Sequence, residues 1–518
     1  MASRASPRLS VTETSLIDRL SRRRHCAAAA AALAGAAGSF ALPPFGLVPL
    51  VAVLSLPALQ LGRATSSGEA GLIAGAAGFG WFLASLWWIS LSLVTGNTGH
   101  WPLIPLPLFG IPLLLALFWV PAGVLAHWLG RSAPARVLWF AATLTICEWA
   151  RGHVATGFPW NAPGYLFSAH VSLLQNASFF GLYGLSFLAL LWAFAAAIWK
   201  LGLRRMAVVL LLTLPLAALA GLVRLERLPD PPGDTPSKIA RLVQPAVPQD
   251  EKWNRAARAG HLETLRDLSR DSYPIPQLVI WPETAFAGLL DREGQLFRDT
   301  VWSVLPFDGR LITGVPRFDA KKRLFNSAAL VTPRGDVEAL YDKQRLVPFG
   351  EFVPFRRFLP FADAIAGPVD FSPGADDVHF TVPGYGRLRL LICYETLFPG
   401  LGARSGERPD ILVNLTNDAW FGHTPGPWQH LAQARMRAVE EGIPILRVAN
   451  TGITAAFDGA GRQLGVIGLG EAGFLDIAVP PGFEPSVYSQ WREVILLVML
   501  VMFCSTINRL DRKGSLGQ

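Results

Sequence analysis

Arg387-Leu-Arg-Leu-Leu-Ile-Cys393-Tyr394-Glu395 is an apolar, strand-like run that delivers one thiol and follows it at once with an aromatic ring and a carboxylate. Cys393 is the only cysteine in the polar stretch 230–490, since Cys26, Cys147 and Cys504 lie in or beside apolar segments. No pair inside that stretch can build a disulfide framework, so the thiol is either shielded or used. Outward from it, apolar residues crowd into 26–225 and again near 494–508. A mean hydropathy of +0.35, with 17 Trp and 16% charged residues in 518, marks a membrane protein. A pI near 9.6 would suit nucleic acid, but no aromatics interleave with Lys and Arg as stacking platforms, so nucleic acid is not an expected partner.

Seven apolar segments precede residue 230, at 26–43, 44–62, 70–95, 103–129, 135–150, 172–199 and 205–224. Most reach the ~20 residues that a spanning helix needs. The first follows Arg22, Arg23 and Arg24 as a signal peptide would, yet six further runs make it a retained helix. An eighth run, Val494 to Ile507, is short, and Arg492 and Arg509 at its ends can snorkel to the interfaces. The expected domains are a cytoplasmic tail 1–25, a seven-helix membrane domain 26–227, a linker 228–237, a soluble domain 238–490, a C-terminal transmembrane helix 491–510 and a tail 511–518. The linker is marked by Pro229, Pro231, Pro232 and Pro236.

Lys and Arg set the orientation. The N-terminal tail carries Arg4, Arg8, Arg19 and Arg22 to Arg24, alternate loops carry Arg63, then Arg131 and Arg136, then Lys200, Arg204 and Arg205, and the C-terminal tail carries Arg509, Arg512 and Lys513. These read as cytoplasmic, and an odd number of spans then places the soluble domain outside the cytoplasm. There, β-rich runs at Ile239–Val247, Gln277–Trp281, Arg310–Val315, Ser327–Val331, Val337–Tyr341, Leu388–Cys393, Ile411–Leu415 and Ile445–Val448 alternate with helical patterns at Trp253–Leu268 and Trp428–Glu441. That alternation predicts an α/β domain. Asp363 to Asp376, rich in Gly, Pro and Ala, reads as a mobile loop that helps admit substrate.

Three positions concentrate chemistry. Glu283 closes Leu278-Val-Ile-Trp281-Pro282-Glu283, Lys343 follows a strand pattern, and Cys393 ends one. Ligands of open α/β sheets bind at the C-terminal ends of strands. An ordinary thiol is mostly protonated at neutral pH, so acyl chemistry needs a base such as Glu283. The oxyanion that follows is stabilised by a fixed ammonium such as Lys343. Singly, each has a plain reading: a buried thiol, a solvated strand end, a surface lysine. Their joint appearance favours a site. Glu148 and Arg151, three apart on one helical face at the edge of a span, read as a structural pair or, second to that, as a phospholipid headgroup site. His423 and His430 lack Cys or acidic partners at zinc spacing, so no metal is expected. No G-x-S-x-G elbow supports a serine lipase.

Trp281-Pro-Glu283, Lys343 with Pro348-Phe-Gly-Glu351, and Cys393-Tyr-Glu395 resemble the Glu-Lys-Cys motifs of the nitrilase superfamily. Joined to this membrane layout, and to Gln249-Asp-Glu-Lys-Trp253, Asn414-Leu-Thr-Asn417-Asp-Ala-Trp420-Phe421, Glu148-Trp-Ala-Arg151 and Thr156-Gly-Phe-Pro-Trp160, they resemble the apolipoprotein N-acyltransferases. The resemblance implies an αββα sandwich on a multi-pass α-helical membrane domain. It further implies that Cys393 takes a fatty acyl chain from a phospholipid as a thioester and passes it to the N-terminal amine of a diacylglyceryl-cysteine on an apolipoprotein. Glu283 is then the general base, Lys343 supports the oxyanion, Glu351, Tyr394, Glu395 and Asn417 line the pocket, and Trp253 and Trp420 meet lipid chains. The setting implied is the bacterial inner membrane, catalytic domain periplasmic, with a monomer that needs no cofactor. The alternatives are a membrane-tethered amidase using water as acceptor and a transporter with a solute-binding domain. Few buried ionisable residues and no paired half-helix repeat disfavour the transporter.

Overall fold

The computed structural model describes residues 11–95, 101–231, 238–271, 276–302, 304–358, 369–375, 378–403 and 408–512. Before residue 230 the chain is helical: α1 (Val11–Gly38), α2 (Ser55–Gly62), α3 (Ser67–Leu86), α4 (Pro105–Ala116), α5 (Trp119–Leu129), α6 (Ala133–His153), α7 (Val171–Leu174), α8 (Ala177–Ala193), α9 (Ala195–Lys200) and α10 (Arg204–Arg227). α1 starts well before residue 26, where the sequence reading begins its first helix. No Gly or Pro interrupts 11–34, and the arginines at 22–24 are good helix formers, so nothing stops the helix there.

Among the described residues, five helical stretches are long and apolar enough to cross a membrane: Ser67–Leu93, Trp101–Leu129, Ala177–Lys200, Arg204–Arg227 and Glu493–Arg512. Four of these precede residue 230, where the hydropathy reading places seven spans. The difference has causes in composition. The apolar part of α1 is mostly alanine, Val48–Gly62 is short, and α6 carries Arg136, Glu148 and Arg151.

Small residues set the helix crossings. A Cβ at Gly35 would sit 1.9 Å from the Ala77 carbonyl oxygen and one at Gly80 would sit 1.8 Å from that of Ala32, so α1 and α3 touch backbone to backbone. Ser66 caps α3 by accepting from the Glu69 N–H at 3.2 Å, while the Glu69 carboxylate accepts from the Thr65 N–H and hydroxyl at 2.8 Å each. Glu148 and Arg151 on α6 form a fully buried pair, with the Trp119 indole donating to Glu148 at 2.8 Å and Arg151 donating to the Trp160 carbonyl at 3.1 Å. Both side chains of the pair thus have partners within the protein.

Beyond the linker, β1 (Ile239–Gln244), β2 (Leu278–Ile280), β3 (Arg310–Phe318), β4 (Leu324–Val331) and β5 (Val337–Asp342) build one sheet, and β6 (His379–Val382), β7 (Gly386–Ile392), β8 (Ile411–Thr416), β9 (Ile445–Ala449), β10 (Thr454–Phe457) and β11 (Gln463–Ile467) build the other. β12 (Gly473–Ala478) returns antiparallel to β1, giving the orders β12-β1-β2-β3-β4-β5 and β11-β10-β9-β8-β7-β6. The two sheets face each other across Leu242, Ile280 and Ile312 on one side and Leu390, Ile392 and Val413 on the other. α11 (Arg258–Arg270) and α12 (Gly294–Val301) cover the first sheet through Leu262, Leu265, Phe297 and Val301. α13 (Pro425–Glu441) covers the second through Ala434 and Ala438. The result is the αββα sandwich.

The sequence reading has eight of these strands and misses β6 and β10, which are four residues each, β11, which Gly465 interrupts, and β12. It also starts α11 too early, because 251–257 is a set of turns. Residues 363–368 and 376 of the loop expected at 363–376 lie outside the described residues.

α13 joins the two halves. Thr424 caps it by accepting from the Gly426 N–H, Pro425 opens it, and Gly442 ends it at φ 68°. One of its faces lies on β8 to β10, while Met436 and Val439 on another enter the apolar cluster of the membrane helices. α14 (Val487–Trp491) and α15 (Glu493–Arg512) then bring the chain back into the bundle, where Phe503 packs on Phe187 with ring centroids 4.9 Å apart.

Candidate active site

Apolar strands carry three side chains to one edge of the sandwich. Glu283 follows β2 through Trp281 and Pro282, Lys343 is the first residue after β5, and Cys393 the first after β7. The turn after β2 lies so close to β3 that a Cβ at Gly314 would sit 2.6 Å from the Glu283 Cα, which excludes any larger residue there. Cys393 itself adopts φ 50°, a left-handed conformation that costs a non-glycine residue energy and lifts its side chain out of the strand.

The carboxylates and the ammonium interlock. Lys343 Nζ lies 2.9 Å from Glu351 Oε1 and 3.6 Å from Glu283 Oε1. Asn326, on β4, donates to both of those oxygens at 2.8 Å each, and Glu351 Oε2 accepts from the Val347 N–H at 2.8 Å. Burial alone would lower the Lys343 pKa, but Glu351 and Glu283 together hold it well above the ordinary lysine range. For Cys393, burial and then the nearby charge of Glu283 push the thiol up to about 12, against the opposing pull of Lys343. At neutral pH Cys393 therefore rests as a protonated thiol.

Tyr394 and Glu395 fix the turn that presents the thiol. Glu395 is fully buried and accepts from the Tyr341 hydroxyl at 2.8 Å, the Gln344 N–H at 2.7 Å, the Arg345 N–H at 3.2 Å and the Ile392 N–H at 2.7 Å. Burial raises its pKa, against the pull of these bonds. One carboxylate thus ties the Lys343 loop to the Cys393 strand. Tyr394 donates to the Gly157 carbonyl at 2.6 Å, linking the same turn to the membrane helices. Asn417 donates to Gln249 at 2.8 Å and accepts from Asn450 at 3.1 Å, a bridge between loops of the two sheets. Trp253 and Trp420 are exposed, at 57% and 41%, and neither ring has a stacking partner among the described residues.

Two groups escaped the sequence reading. Lys252 is buried and donates to the Glu283 backbone carbonyl at 3.2 Å. Its neighbour Trp253 drew attention instead. His430, which has no metal-like spacing in sequence, is brought by the fold within 4.8 Å of Cys393 and Asp418. These donors are already committed. His430 meets Asp418 at 2.8 Å through Nδ1 and the Cys393 carbonyl and Thr396 hydroxyl at 3.0 Å each through Nε2, while the Arg447 guanidinium sits 2.5 Å from Asp418. Burial alone would raise the Asp418 pKa, but Arg447 and His430 pull it below the usual carboxylate range, so the cluster is already neutralised and acts as a buttress under Cys393. Asp418 and Arg447 are separated from His430 and from each other in the chain, and no local pattern unites them.

Residues 34–196 match the Apolipoprotein N-acyltransferase N-terminal domain, and residues 240–481 match Carbon-nitrogen hydrolase. The chain is 37% identical to an apolipoprotein N-acyltransferase of Rhodopseudomonas palustris over 503 residues, covering 91% of this chain and 93% of the relative. It is 37% identical to that of Bradyrhizobium diazoefficiens, covering 90% and 92%, and 34% identical to that of Rickettsia bellii, covering 93% and 97%. With a helical apolar half, an αββα half and a thiol, a carboxylate and an ammonium at the sheet ends, the chain belongs to the apolipoprotein N-acyltransferase family.

Proposed function

We propose that this acyltransferase moves a fatty acyl chain from a phospholipid, through a thioester on Cys393, to the N-terminal amine of the diacylglyceryl-cysteine of apolipoproteins. In the first half-reaction the Cys393 sulfur bonds to the ester carbonyl carbon and its proton passes to Glu283. The π pair moves to the carbonyl oxygen, which Lys343 stabilises. Collapse breaks the bond to the glycerol oxygen, Glu283 returns the proton to that oxygen, and a lysophospholipid leaves. In the second half-reaction the acceptor amine bonds to the same carbon and gives its proton to Glu283. The carbon–sulfur bond breaks and the proton returns to Cys393. A general base of this kind is worth roughly 10²–10⁴ in rate, and each oxyanion donor about 3–4 kcal/mol.

The observation that carries this reading is the meeting of Cys393, Glu283, Lys343 and Glu351 at one edge of a sandwich whose α13 layer packs directly on apolar helices. A site so mounted suits substrates that are themselves lipids. Glu351 positions Lys343, while Tyr394, Glu395 and Asn417 hold the surrounding turns. Trp253 and Trp420, exposed and unstacked, meet acyl chains.

The proposed setting is the inner membrane, with the catalytic part periplasmic. The basic loops support it, because they gather at the end of the bundle remote from the sandwich: Arg136 donates to the Ala64 carbonyl at 3.0 Å, and Asp511 accepts from the Arg131 N–H at 2.8 Å. The sandwich meets the other end, where Thr95 donates to the Trp420 carbonyl at 3.1 Å. The proposed division is a membrane part to 227, a linker 228–237, the catalytic part 238–490 and a returning helix 491–510.

Incubating the purified protein with phospholipid vesicles and measuring its intact mass tests the reading. An acyl mass on Cys393 that is discharged by a diacylated lipopeptide is expected. Turnover that survives Cys393→Ala would refute it.

A further inference from the structure

Lys252 is a second buried ammonium at this site, 4% exposed. The connection that carries it crosses the ends of both sheets: Gln249 is held by Asn417 after β8, and Lys252 reaches the Glu283 backbone carbonyl after β2. That carbonyl, at 3.2 Å, is its one hydrogen-bond acceptor among the described residues. An ammonium has three N–H donors, so two are unspent. Lys343 is in the opposite condition, pinned between the carboxylates of Glu351 and Glu283. A buried cation with spare donors and no carboxylate on it is costly to hold unless something else meets it. Through that contact Lys252 sits on the turn that carries Glu283, at the end of β2, where the Lys343 ammonium also meets the Glu283 carboxylate.

We infer that Lys252 is a further catalytic residue, donating its unspent N–H groups to the acyl carbonyl oxygen as that oxygen becomes an oxyanion in each half-reaction. This rests on Cys393 being the acylated nucleophile. No proton is transferred by Lys252: the electron pair that reaches the carbonyl oxygen on attack returns on collapse, and Glu283 alone carries protons. Lys343 and Lys252 then divide the work, one fixed by carboxylates and one free to follow the oxygen.

Burial lowers the Lys252 pKa to about 8, against the pull of Glu283 and Cys393. Its charged form is therefore present below that pH and is lost as pH rises through it. The test uses the full-length protein with vesicles of phosphatidylethanolamine and phosphatidylglycerol, following the acyl mass on Cys393 against time. Lys252→Met is expected to slow thioester formation by roughly 10²-fold. In the wild type the rate is expected to fall as pH rises through about 8, and in Lys252→Arg, which stays charged to about pH 12, that fall is expected to move upward. A wild-type rate in Lys252→Met overturns the inference. So does a Lys252→Arg profile that superimposes on the wild type, a comparison that holds even where the Met variant does not fold. A wild-type protein that gains no acyl mass on Cys393 defeats the nucleophile assignment itself, a result distinct from either.

Discussion

Cys393 shows how far burial can move one side chain from its solution chemistry. Half-buried beside Glu283, its thiol is pushed up to about 12 from the ordinary ~8.5 of a free cysteine. Below that value the thiolate fraction grows about tenfold per pH unit. Alkylation of Cys393 by iodoacetamide is therefore expected to keep rising with pH through roughly pH 10, where an unperturbed thiol has already levelled off. A plateau near the ordinary value, read by peptide mass spectrometry, would show that the site does not destabilise the thiolate. The need for a base was legible from the chemistry of a thiol and an ester. The strength of that need was not, because it depends on what surrounds the sulfur.

At the scale of elements, glycine decides how closely helices approach. α1 and α3 cross with Gly35 and Gly80 against carbonyl oxygens, and a Cβ at Gly80 would lie 1.8 Å from Ala32. Gly80→Val is expected to cost about 1–3 kcal/mol by forcing the helices apart, measured as a lower midpoint of thermal unfolding in detergent. An unchanged midpoint would mean that the crossing is not tight. The same reasoning explains α8, which breaks at Gly181 (φ 61°), where a Cβ would meet the Tyr488 ring at 2.1 Å. Hydropathy marked these stretches as apolar, but where one bends or touches another depends on partners distant in the chain. The strands followed a similar rule: long apolar runs such as β7 and β8 were readable, while short edge strands such as β11 were not.

Across the whole molecule, α13 and its flanking residues couple the sandwich to the bundle. Gln429 Oε1 accepts from the Trp160 indole at 2.9 Å, the Trp88 indole at 3.2 Å and Asn161 at 3.2 Å, beside Phe421, which packs edge-on to Trp88 at 4.6 Å. Gln429→Leu removes this shared acceptor, and a buried donor left without one costs about 1–3 kcal/mol. The expected outcome is slower acylation of Cys393 from vesicles with unchanged iodoacetamide alkylation, because Gln429 bonds to the bundle side of α13 and makes none of the contacts that hold Cys393. Equal loss of both would show that Gln429 supports the active site rather than the junction.

The chain's own order of residues determined that a polar α/β part lies between apolar helices, and that Glu283, Lys343 and Cys393 end strands there, because hydrophobic period and strand-end position are local properties. Tertiary structure alone decided that Lys252 and Asn326 join them, that Glu395 ties two loops together, that His430, Asp418 and Arg447 form one buttress, and that Tyr394 reaches Gly157. Those links join residues far apart in sequence. They are set by how the two sheets close on each other and how α13 meets the bundle, and burial there converts ordinary polar side chains into fixed partners.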